Sequence, residues 1–265
     1  MQLNKVTAPM LSQMKANGEK ISVLTAYDYS GARLLDEAGI DVALVGDSLG
    51  MVVLGYDSTL NVTMDDMIRH TSAVKRGIKR AFIVSDMPFL SYNVSIEETI
   101  KNAGRLVVEG GAEAVKMEGG EQLCSTIRKL VDIGIPVVGH IGLQPQSVNV
   151  YGGFKMRGKN ELEASKIKYD ALALQDAGVC AIVLESIPDA LAREITASLA
   201  TPTIGIGAGP DCDGHVLISH DILGMYDKIK PSFVKQYADL WTTSLDAYKA
   251  YNKDIKEGLY PERKK

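Results

Sequence analysis

Short apolar runs that each end in a polar or ionisable residue, alternating with helical patterns over 265 residues, predict an α/β fold: a (β/α)8 TIM barrel with an extra N-terminal helix. The first observation is the repeated grammar of the strong runs. Those at 42–45, 81–85, 112–117, 136–139 and 179–184 lead into Asp47, Asp86, Glu118, His140 and Glu185, always at the same end. The second is the count, because weaker runs at 21–26, 202–206 and 216–219 bring the strand candidates to eight. The third is continuity. No Pro/Ser-rich linker or composition shift divides the chain, so residues 1–265 read as one barrel domain, and such barrels use roughly 250 residues. An open doubly wound sheet competes, but it gathers ligand contacts at one switch point rather than along five consecutive strands.

In chain order, residues 1–20 offer a short amphipathic helix, with Met10, Leu11 and Met14 on one side, capping or packing outside the main body. After the first strand, Ser30 is a candidate N-cap for a helix over 31–38, with Gly39 as its stop. A loop over 50–62 precedes a helix opening at Thr63, with Asp65 and Asp66 in its first turn, where acids favour the helix dipole. Ser95 and Glu98 form a capping-box pattern for the next helix. Residues 141–160 show no periodicity, and so long a loop in a compact domain tends to be a lid or binding loop. A helix over 161–177, another from about 188, and a helical tail from about 232 with Trp241 on its apolar stripe complete the pattern.

Composition narrows the function. The net charge of −4 argues against a dedicated nucleic-acid binder, and no apolar stretch approaches the length of a membrane span. The N-terminus lacks the apolar core of a signal peptide. Cys124, Cys180 and Cys212 have no metal-type spacing and read as reduced thiols of a cytoplasmic protein.

The chemistry concentrates at the strand ends. Asp47, Asp86 and Glu118 on adjacent strands would converge, and three close anions repel unless something neutralises them. A divalent cation held by carboxylates and substrate oxygens does so, and all-oxygen ligation suits Mg2+. Taken singly, each acid could equally be a helix cap or a salt-bridge partner. Lys116 lies two residues before Glu118 and shares its face, towards the barrel interior. It could form a Schiff base, hold a substrate oxyanion, or simply pair with the acids. His140 could orient a ligand, move a proton, or be a satisfied core residue. Glu185, set apart from the trio by a strand, is placed as a general base. The IGIGAG string at 204–209 reads either as an anion loop or as a plain tight turn.

The strings TAYDYS (25–30), VGDSLGM (45–51), KMEGG (116–120), GHIGLQPQS (139–147) and IGIGAG (204–209), in this order and spacing, resemble the ketopantoate hydroxymethyltransferase family over about residues 20–260. The resemblance implies a Mg2+-dependent (β/α)8 barrel, one ion per subunit, assembled as a cytoplasmic homodecamer in pantothenate synthesis. It implies metal positions at Asp47, Asp86 and Glu118, contacts to the 2-oxo acid from Asp47, Ser48, Asp86 and Lys116, and a proton acceptor at Glu185. His140 is expected near the substrate. The implied reaction transfers a hydroxymethyl group from 5,10-methylenetetrahydrofolate to 3-methyl-2-oxobutanoate through an enolate, giving 2-dehydropantoate. Lys155, Arg157 and Lys159, in the loop after the fifth strand, are candidates to attract the anionic folate tail, or are plain solvated charges. Neither the extreme N-terminus nor the lysine-rich end 262–265 carries a usable motif. Two rivals stand: a Mg2+-dependent 2-oxo-acid aldolase or lyase using the same enolate logic, and a silent barrel retained as a binding or scaffold protein. The second has no reason to keep four buried acids and a lysine.

Overall fold

The structure, a computed structural model, describes residues 4–228 and 231–262; residues 263–265 of the lysine-rich end lie outside them. The chain forms two compact units, Met1–Leu217 and Ile218–Lys265. In the first, parallel strands close into a barrel in sequence order: β1 (Ile21–Thr25), β2 (Val42–Val45), β3 (Phe82–Asp86), β4 (Ala114–Glu118), β5 (Val137–Gly142), β6 (Ala181–Glu185), β7 (Thr203–Ile206) and β8 (Gly214–Leu217). Closure comes from β1 against β8, with Val23 opposite Val216. The runs are apolar throughout because alternate residues serve two cores. Val42, Leu44, Val84, Val138 and Val183 fill the barrel interior. Ala43, Val45, Ile83, Val115 and Ile182 pack outward among the helix-facing residues.

The N-terminal helix, Ala8–Asn17, contributes one buried side chain, Leu11, which is 2% exposed and belongs to the interior cluster. It therefore plugs the barrel floor, and burying such a leucine contributes about 1.5–3 kcal/mol.

Several boundaries differ from expectation, each for a local reason. Asp28, not Ser30, caps the helix Tyr29–Glu37: its backbone is extended and its carboxylate accepts the Gly31 N–H. Thr63 and Asp66 form the reciprocal capping box of the helix Met64–Gly77. The 50–62 segment is not featureless, since it holds part of the helical turn Leu49–Val52 and the 3-10 turn Thr59–Asn61. β5 runs on to Gly142, so His140 lies within the strand rather than after it. The segment that follows carries a 3-10 turn, Pro145–Ser147, and a helical turn, Val148–Tyr151. β8 begins at Gly214, where a side chain would run into Ile21 of β1.

In the second unit the helix Leu240–Lys256 starts later than the pattern suggests, at a cap where Asp239 accepts the Thr242 N–H. None of its residues, Trp241 included, is buried. Among the described residues no helix is long and apolar enough to cross a membrane. The cysteines are free thiols, with Cys124 and Cys212 buried.

Candidate active site at the C-terminal mouth of the barrel

The strand register brings the predicted residues into one place. Asp86 pairs with Lys116 across β3 and β4, and Glu118 with His140 across β4 and β5. Asp47 follows β2 after Gly46, and its N–H donates to Asp86 Oδ2 at 3.0 Å. Gly46 permits this approach, because a Cβ there would come within 2.8 Å of Ser48 Oγ and 3.6 Å of Asp86 Oδ2. Lys116 Nζ stands 3.2 Å from Asp86 Oδ1 and 3.1 Å from His140 Nδ1. His140 Nδ1 is also 3.6 Å from Glu118 Oε1, and its Nε2 is 3.1 Å from Glu185 Oε2, though off the line of a formed hydrogen bond. Glu185, the last residue of β6, is more open than the others, its side chain 17% exposed against 3% for Glu118. Ser48 Oγ is hydrogen-bonded to the buried Tyr27 hydroxyl at 2.8 Å.

Four carboxylates face one ammonium here. Burial first, and the Asp86 charge second, push the Asp47 carboxyl up to about 7. Burial likewise raises Glu118 well above its ordinary value, with Asp47 adding to it and Lys116 opposing. Burial works against the Lys116 charge, but Asp86, Glu118 and Asp47 outweigh it and hold the ammonium above the ordinary lysine value. The His140 ring is held below its usual value by burial and by Lys116. Lys116 is therefore the donor to Nδ1, and the proton of the neutral ring sits on Nε2, facing Glu185.

Among the described residues no group of three or more His, Cys, Asp or Glu side chains is arranged so that it could hold a metal ion. A neighbouring amide and the Lys116 ammonium engage one carboxylate oxygen of each acid in the trio: Glu118 Oε2 and Asp47 Oδ2 by the amide, Asp86 Oδ1 by the ammonium. The donor chemistry nevertheless fits a hard divalent cation. The ligand atoms would be all oxygen, the negative charge exceeds what Lys116 can balance, and the buried Asp86 Oδ1 meets nothing but the Lys116 ammonium among the described residues.

Sequence reasoning missed that amide. Gln146 donates Nε2–H to Asp47 Oδ2 at 2.8 Å and to the Met87 carbonyl at 3.0 Å, and its backbone N–H to Glu118 Oε2 at 2.9 Å. The buried Tyr92 hydroxyl donates to Gln146 Oε1 at 2.6 Å and accepts the Glu118 N–H at 3.2 Å. Gln146 stands inside the GHIGLQPQS string, but a neutral amide in a loop gives no signal by residue type.

The loop cations are divided. The Arg157 guanidinium is spent on structure: it pairs with Glu163 at 3.0 Å and lies 4.4 Å over the Tyr151 ring, while the residue's backbone N–H donates to the Ser186 carbonyl. Lys155 and Lys159 are exposed. In the IGIGAG segment, Gly209 lies so close to Asp189 that a side chain would collide with that carboxylate. An acid against the loop favours the tight turn over an anion site.

Fold and mouth together define a (β/α)8-barrel protein of the kind whose chemistry sits at the C-terminal ends of the strands. Among solved structures, the fold is shared with a phosphonopyruvate hydrolase complexed with oxalate and Mg2+ (TM-score 0.63, 12% identity, 96% of this chain and 88% of that one). It is also shared with 2,3-dimethylmalate lyase of the PEP mutase/isocitrate lyase superfamily (TM-score 0.59, 17% identity, 97% and 90%). At sequence level the match is far closer. The profile described as Ketopantoate hydroxymethyltransferase matches residues 5–263, and the chain belongs to that family. Proteins named 3-methyl-2-oxobutanoate hydroxymethyltransferase are 58% identical in Syntrophotalea carbinolica (95% of this chain, 94% of that one) and 56% in Thermoanaerobacter sp. strain X514 (97% and 94%). The one from Moorella thermoacetica is 55% identical, with 99% and 97% covered.

Proposed function

We propose that this chain transfers a hydroxymethyl group from 5,10-methylenetetrahydrofolate to 3-methyl-2-oxobutanoate, giving 2-dehydropantoate and tetrahydrofolate with uptake of one water. The observation that carries it is the name shared by relatives more than half identical over nearly the whole chain. Asp47, Asp86 and Glu118 would hold Mg2+, whose chemistry there is Lewis acidity towards the 2-oxo acid. Lys116 brings a permanent positive charge to the substrate's anionic oxygens, and Ser48, steadied by Tyr27, adds a hydroxyl. Glu185, the most open of these carboxylates, removes the C3 proton, so that C3 attacks the methylene carbon of the folate. His140 lies with Nε2 3.1 Å from Glu185 Oε2, close enough to steady the base or pass it a proton once substrate is bound. Lys155 and Lys159 remain to attract the folate's anionic tail. Family resemblance also supports a homodecamer in the cytoplasm, which light scattering and cell fractionation test.

The test is exchange of the C3 proton of 3-methyl-2-oxobutanoate into deuterated water by the Mg2+-loaded protein. Glu185→Gln should still bind the oxo acid while exchange falls about 10²–10⁴-fold; exchange at the parental rate removes Glu185 as the base. Turnover should require methylenetetrahydrofolate, and folate-independent carbon–carbon cleavage would move the assignment to a lyase.

A further inference from the structure

Gln146 is placed unlike any other residue of the mouth. It is buried, carries no charge, and touches two of the three acids at once: Asp47 Oδ2 through the side chain and Glu118 Oε2 through the backbone N–H. We propose that Gln146 is a positioning residue for the cation site, pinning one oxygen of Asp47 and one of Glu118 so that the second oxygen of each is left for the ion. The proposal rests on reading Asp47, Asp86 and Glu118 as cation ligands.

The geometry leaves the amide one orientation. Both Nε2 hydrogens are used, on Asp47 Oδ2 and the Met87 carbonyl, and Oε1 receives the Tyr92 hydroxyl. Turned over, the amide would set its oxygen against a carboxylate and a carbonyl, and its NH2 against the Tyr92 donor. Tyr92 is fixed in turn, because its oxygen accepts the Glu118 N–H. The result is a closed relay: Glu118 N–H to Tyr92, Tyr92 to Gln146 Oε1, Gln146 Nε2–H to Asp47, Gln146 N–H back to the Glu118 carboxylate. A ligand carboxylate whose free oxygen is hydrogen-bonded cannot swing, and partners of this kind typically set metal affinity by about 10–100-fold. A packing role alone would not need all four polar groups matched.

Binding of Mn2+ to the full-length protein, followed by the loss of the free-ion electron paramagnetic resonance signal, tests this. Gln146→Met keeps the length and removes the side-chain bonds. Its Mn2+ Kd should rise about 10–100-fold and the signal of the bound ion should change, in protein that circular dichroism shows to be folded. Tyr92→Phe, which takes the donor from Gln146 Oε1 and so loosens the amide, should shift Kd the same way by less. A Kd within twofold of the parent's for Gln146→Met overturns the proposal. Should that variant fail to fold, parental affinity in Tyr92→Phe overturns it instead. Asp47→Asn separates the two levels: lost binding there with parental binding in Gln146→Met sinks the positioning role alone. Parental binding in Asp47→Asn, or none in the parent, sinks the ligand reading and this proposal with it.

Discussion

The floor and the mouth of the barrel are both ringed with acids, yet they treat charge in opposite ways. At the floor, Asp41, Glu113 and Asp213 stand just before β2, β4 and β8, and each has its own cation. Asp213 Oδ2 pairs with Lys15 at 2.8 Å and accepts the Thr203 N–H; Asp41 pairs with Arg80 at 2.8 Å and accepts from Ser22. Glu113 pairs with Lys5 at 2.6 Å and accepts the Ile83 N–H. At the mouth, four carboxylates share Lys116 and crowd one another. Matched charge at the floor ties the N-terminal segment and the strand starts together. Unmatched negative charge at the mouth is held at a cost to stability, a pattern found at functional sites and one that a bound cation would relieve.

The sharpest way to break this comparison is to remove one acid from each end. Asp213→Ala leaves the Lys15 ammonium, only 15% exposed, with the Thr196 and Thr201 carbonyls but without its counter-charge. Breaking such a pair from one side should cost about 3–5 kcal/mol in denaturant unfolding, with activity per folded molecule unchanged. A loss near zero would put the floor pairs on a level with surface ion pairs and remove the contrast.

Asp47→Asn should move stability the other way. In the metal-free protein its carboxyl is pushed up to about 7, far above the unfolded value of 3.8. The folded state therefore binds a proton that the unfolded chain has already released, and stability falls as pH rises between those values. At about pH 8 the metal-free variant should be more stable than the parent by on the order of 2 kcal/mol, and near pH 4 the two should coincide. Added Mg2+ should stabilise the parent and not the variant. A variant less stable than the parent at both pH values would mean that Asp47 serves the fold.

The same contrast explains what was legible in the sequence. An acid at the end of an apolar run stands out against it, so Asp47, Asp86, Glu118 and Glu185 could be read directly, and the alternation of runs gave the barrel. The floor acids are equally visible beside their strands, but nothing local says that Asp213 meets Lys15 from a helix almost two hundred positions earlier. Gln146 and Tyr92 were invisible for another reason: their roles come from satisfying hydrogen bonds in three dimensions, which residue type does not announce. His140 was misplaced by the early break assumed at Gly139. That glycine does not end β5, because the ladder to β6 continues through Gly142 opposite Glu185.

A third kind of acid sharpens the comparison at its weakest end. Asp36, on the helix Tyr29–Glu37, accepts the backbone N–H groups of Lys79 at 2.9 Å, Arg80 at 3.0 Å and Ala81 at 2.7 Å. It has neither the dedicated cation of a floor acid nor the crowding of the mouth. Burial works against its charge, yet the N–H groups of Ala81, Lys79 and Arg80 win and hold its carboxyl below the ordinary 3.8. The linkage sign is therefore opposite to that of Asp47: the contribution is present above the unfolded value and lost as pH falls through the lower folded one. Asp36→Ala should cost about 1–3 kcal/mol near pH 7, and the gap from the parent should narrow as pH is lowered below about 4. Paired urea melts across that range decide it. A gap that stays constant down to acid pH would show that Asp36 works by filling space at the start of β3, and that charge met only by backbone N–H groups does no more here than a neutral side chain.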